Sequence, residues 1–109
     1  MDTKTRAVHK RLIEVAKRKE TVSYSEMARI ADLHVRSRAL FQILDDVSTA
    51  EHAAGRPLLT AVVIRKEDGV SGAGFFALAT RLGHYRDGDD RKLYWAWELK
   101  RVYAEWASD

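Results

Sequence analysis

Val8, Leu12 and Val15 recur at the i, i+4, i+7 spacing of one helix face, with Ile13 and Ala16 widening the stripe and cations filling the other side. That pattern predicts a first helix over about 3–19. Thr21 and Val22 favour extended backbone, and Ser23 with Glu26 three residues on is a capping box, so a second helix should run from Tyr24 to Ala31. Met27, Ile30 and Ala31 would face inward. Asp32 to Val35 has the length of a tight turn between helices. A third helix is expected from about Arg36 to near Asp46, burying Ala39, Leu40, Ile43, Leu44 and Val47. Ser48 can cap a short further helix, Thr49 to Ala54, that Gly55 would end.

The pattern changes after Pro57. Leu58 to Lys66 is a β-branched run closed by the turn Glu67-Asp68-Gly69, which reads as a strand. Val70 to Gly74 fits either a returning strand or a loop. Phe75, Phe76, Leu78, Ala79 and Leu82 suit a short helix stopped by Gly83, and His84 to Asp90 is a polar loop. Trp95, Leu99, Val102 and Trp106 then form the core stripe of a final helix, Arg91 to Trp106. The expected fold class is α+β and mostly helical. It has a helix-turn-helix or winged-helix-like core, a small β-hairpin or strand, and a C-terminal amphipathic helix. We read one domain over 1–109, with the helix-turn-helix-like unit at about 21–47, the strand and glycine-rich turn at about 57–74 and the last helix at about 90–106.

Composition narrows the class. The chain is 46% apolar and 32% charged with a single proline, so it can bury a core, and its 109 residues leave room for one core only. It has no cysteine, which removes disulfide scaffolds, thiolate zinc sites and a cysteine nucleophile. The N-terminal residues are charged and no apolar run approaches the roughly 18 residues of a membrane span, so a cytoplasmic protein without membrane contact is expected. Charge is uneven: residues 1–40 hold ten Lys and Arg against five Asp and Glu. A basic segment joined to a neutral or acidic one suits phosphate contact, because neutralised phosphates release counterions.

The candidate chemistry follows from that segment. Two short helices after a capped turn, with arginines opening the second, match the way a recognition helix enters the major groove. The expected function is non-catalytic binding of double-stranded DNA, with Arg36, Arg38 and Gln42 as the recognition set and Lys17, Arg18, Lys19 and Arg29 as phosphate contacts. The alternative is a protein-binding module, such as a small bacterial or phage inhibitor or immunity-type protein, with Tyr94 and Trp97 as interface aromatics off the core stripe. His84, Asp87, Asp89 and Asp90 lack the spacing and terminal glutamate of a calcium loop, and an aspartate capping the last helix explains them. Gly69 to Gly74 lacks the lysine ending of a phosphate-binding loop, so turning is its expected role. His9, His34 and His52 have no partner at ligand spacing; His34 alone is a candidate phosphate contact. No metal, cofactor or enzymatic activity is expected.

One further signal lies in the order of elements. Val22 to Ala31 with its Tyr24, then Arg38-Ala39-Leu40, Pro57, Val62-Val63-Ile64, Gly69 and Gly72-Ala73-Gly74-Phe75 together resemble the DNA-binding domain of alkylguanine DNA alkyltransferases and alkyltransferase-like proteins, over about half the chain. The resemblance implies a winged-helix-like DNA-binding shape with Arg38 near the DNA. The spacing from Ala39 to Pro57 is longer than in that family, and Leu58, Leu59 and Thr60 stand where it places a cysteine and a histidine. The resemblance therefore implies no alkyl transfer. The segment from Gly55 to Phe76 also resembles one found in small uncharacterised bacterial proteins.

Overall fold

The computed structural model describes residues 1–107. In order, it comprises α1 (Thr3–Lys17), β1 (Val22–Ser23), α2 (Tyr24–Ala31), α3 (Arg38–Ala53), a 3-10 turn (Leu59–Val62), β2 (Val63–Ile64), α4 (Ala73–Arg81) and α5 (Arg91–Trp106). This is a mostly helical α+β arrangement with one small sheet.

The helix starts follow from side chains that satisfy the first free amides. Asp2 accepts from the Thr5 N–H at 2.8 Å, Ser23 from Glu26 at 3.2 Å, Ser37 from Ala39 at 3.1 Å and Asp90 from Leu93 at 3.0 Å. The helix α1 runs antiparallel to α2, since Arg11 pairs with Glu26 while Lys4 reaches the carbonyl of Asp32. The α2 helix stops at Asp32, whose φ of 54° lies in the left-handed region that a short polar side chain tolerates.

Three expectations are corrected. First, α3 begins at Arg38 and continues without a break to Ala53, so the separate helix at Thr49–Ala54 is part of it. Ser48 is not a cap. It is buried in mid-helix, and its hydroxyl shares a 2.6 Å hydrogen bond with Thr60 and accepts the Thr60 N–H at 3.1 Å.

Second, most of Leu58–Lys66 is not a strand. Leu58 to Val63 is buried without interruption between α1, α3 and α5. Side chains serve much of its backbone where a neighbouring strand would have done so: Glu98 takes the Leu58 N–H at 3.0 Å, Ser48 takes that of Thr60, and the Trp95 indole donates to the Ala61 carbonyl at 2.8 Å. The chain is left free to coil into a 3-10 turn.

Third, of the hairpin or strand expected, the described residues hold a strand pair but no hairpin. The pair β1 and β2 is parallel, with Val22 opposite Val63 and Ser23 opposite Ile64. Val70–Gly74 returns no strand, but Arg65 and Val70 close a tight loop in which the Arg65 N–H donates to the Val70 carbonyl at 2.9 Å.

The core gathers Val8, Leu12, Met27, Leu40, Val47 and Val102 around that central segment. Among the described residues no helix is long and apolar enough to cross a membrane.

Candidate nucleic-acid interface

Because β1 leads into α2 and β2 lies beside it in parallel, the opening of α2 sits next to the chain leaving β2. The start of α4 closes over the same place. There the Gly72 N–H donates to the Tyr24 hydroxyl at 2.8 Å, and a Cβ on Gly72 would stand 3.2 Å from that oxygen. Burial pushes the Tyr24 phenol up from its ordinary value, so it stays protonated. Together these segments enclose a groove of about 460 Å³.

The groove is lined by the openings of α2 and α4, by Val35, Arg36 and Phe41 at the start of α3, and by residues 64–67. Phe41 is 42% exposed, and its ring lies 6.2 Å from that of Tyr24. Arg36 is exposed and forms no ion pair among the described residues; its N–H donates to His34 Nδ1 at 3.1 Å, so His34 shapes the turn into α3. Two cations outside the expected set join it. Lys66 is exposed with no ion pair among the described residues, while Arg65 is held loosely by Glu67 at 3.6 Å and Asp68 at 3.9 Å. Three cations therefore meet where three helices begin, and helix openings favour anions because their first amides point outward.

The remaining expected residues are dispersed. Arg38 is exposed on the first residue of α3 but is not part of the groove wall. Gln42 is also exposed, yet its amide donates to Asp46 at 2.8 Å one turn along, and Asp45 lies beside that acid. Asp45 in turn pairs with Arg81 at 3.4 Å. Lys17, Arg18 and Lys19 close α1, and Arg29 stands in the last turn of α2; all are exposed and outside the groove.

Of the two interface aromatics, Tyr94 packs among Phe75 at 6.0 Å and Tyr85 at 5.1 Å with its hydroxyl buried. Burial, and next the Glu98 charge, push that phenol far up. Trp97 is 55% exposed, with the Arg101 guanidinium 4.8 Å from its ring.

Asp90 caps α5, and among the described residues no group of three His, Cys, Asp or Glu could hold a metal ion. Two of the histidines with no partner at ligand spacing in the sequence meet one through the fold: His9 meets buried Glu51 at 2.8 Å and His52 meets His84 at 2.7 Å. Arg65 and Lys66 were hidden in the sequence because they look like the end of a strand; the signal for them was that two short β-favouring segments, at Val22 and at Val63, could pair. No family model, curated protein or solved structure matches the chain.

Proposed function

We propose that the chain binds duplex DNA without catalysing a reaction on it, gripping the phosphate backbone with the groove between α2, α3 and α4. The observation that carries this reading is the meeting of Arg36, Arg65 and Lys66 at three helix openings, two of them with no internal ion-pair partner among the described residues. In this reading Arg38 approaches the base edges from the start of α3 beside the phosphate contact of Arg36, and the tight loop from Arg65 to Val70 plays the part of a wing, giving a winged-helix-like outline. The resemblance to the alkyltransferase DNA-binding domain supports it. Tyr24 stands in the groove wall and Arg38 is exposed on the first residue of α3, while Leu58, Leu59 and Thr60, at the positions where the family carries its reactive residues, are buried. A buried leucine accepts no alkyl group.

The test is fluorescence anisotropy with a mixed-sequence duplex across a salt series. The wild type should bind with a steep salt dependence. The Arg36→Ala, Lys66→Ala double variant should lose about tenfold in affinity at low salt, with the salt slope falling by about one for each phosphate contact removed. Binding without salt dependence, or a double variant equal to wild type, defeats the reading.

A second reading rests on α5. Leu93 is 71% exposed and Trp97 55%, one turn apart on its outer side, as a protein-binding module would require. Trp97→Ala should then abolish capture of a partner and leave DNA binding unchanged.

A further inference from the structure

The end of the molecule away from the α3 opening holds a polar chain that the DNA reading does not use. His52, on the last turn of α3, places Nδ1 2.7 Å from Nε2 of His84, in the loop after α4, and the two rings meet edge-on. His84 Nδ1 lies 3.3 Å from Oε2 of Glu98, a carboxylate in α5 with no solvent exposure. Glu98 also accepts the Leu58 N–H at 3.0 Å and the Arg101 guanidinium at 2.6 Å.

A contact between two ring nitrogens this short requires one proton between them. Glu98, bound by an arginine and an amide, is an acceptor, so it draws the His84 proton to Nδ1. His84 Nε2 is then a lone pair, and His52 must donate to it from Nδ1. One added proton can settle on the outward Nε2 of His52 without disturbing this order. A second has only His84 Nε2 to bind, where it would meet the His52 N–H head-on and set two cations in contact.

We infer that His52, His84 and Glu98 form a proton-operated clasp, closed while the two imidazoles hold at most one extra proton and opened when both are charged, releasing the loop of residues 83–90 from the end of α3. The charged groups around His84 favour this. From α3 it faces His52, since the neighbouring Glu51 is turned onto His9 and Arg56. From α5 it faces Glu98 and Arg101. Its own loop brings Arg86, Asp87 and Asp89 around a cleft of about 480 Å³ of which His84 is one wall. Burial holds the His84 imidazole below its ordinary range; the Glu98 charge opposes this, while His52 and Arg101 add to it. The clasp also ties together the far ends of α3 and α4, two of the three helices whose openings line the groove.

The experiment follows the histidine ring signals of the intact chain by NMR from about pH 8 to about pH 4, alongside amide exchange. His84 should titrate below the ordinary histidine value, in a step of its own. Protection of amides 83–90 should fall about tenfold at that step. In His52→Gln, whose fold is checked by circular dichroism, the neutral amide removes the opposing charge. His84 should then titrate higher and the loop should keep its protection across the range. Titration of His84 in the ordinary histidine range, or the same loss of protection in His52→Gln, overturns the clasp; the wild-type titration decides this even if the variant does not fold.

Discussion

Glu98 lies three residues after Trp95 and four before Val102, on the face that α5 buries, and it has no solvent exposure; the Leu58 N–H and the Arg101 guanidinium donate to it, and His84 Nδ1 lies 3.3 Å away. Its place on the apolar stripe is a local sign of burial, but nothing local shows what it bonds. Its partners are assembled by tertiary contact, and periodicity sees only that the flanking Trp95, Leu99 and Val102 are apolar. Glu98→Ala would leave the Arg101 guanidinium and the Leu58 N–H without their acceptor, and we expect a loss of about 3–5 kcal/mol in urea unfolding. Lys19 offers the opposite case. It holds φ 54° with its side chain exposed after α1, so Lys19→Gly should relieve backbone strain and raise stability by about 0.5 kcal/mol net of the added chain entropy, read as a small rise in Tm.

At the level of elements, legibility tracked the caps. Ser23 with Glu26 and Asp90 before Arg91 give the bounds of α2 and α5, and Gly83 follows the end of α4, because each is a local exchange of hydrogen bonds written in adjacent residues. Ser23→Ala should cost about 1 kcal/mol for the same reason, measured by thermal unfolding. Ser48 misled because a serine at a helix start and a serine bonded to another element look alike in sequence. The run from Leu58 to Val63 misled because continuous apolar character reports burial on all sides and not the backbone conformation that burial takes. The groove was half legible: Arg36 and Tyr24 stand at signalled helix openings, whereas Arg65 and Lys66 reach it only through the parallel pairing of β1 with β2.

For the whole molecule, the depressed His84 pKa fixes a direction for stability against pH. The unfolded chain takes up a proton near the ordinary histidine value of about 6.5, which the folded chain resists, so the contribution is complete above that value and declines as pH falls through it toward the folded pKa. Urea midpoints of the wild type should drop over that interval, and His84→Gln should flatten the drop; an unchanged slope in the variant would assign the effect elsewhere. A different consequence follows from the two short strands. All of α2 and α3 lies between β1 and β2, so the pair closes a long loop, whereas α1 and α2 meet through near neighbours. Order of assembly in time follows from that distance along the chain, since local contacts form before long loops close. Substituting Met27 should slow refolding, and Gly72→Ala should act mainly by speeding unfolding in stopped-flow measurements. A chain emerging during synthesis would possess its helical hairpin well before it possessed any groove, so the groove becomes available only as assembly is completed.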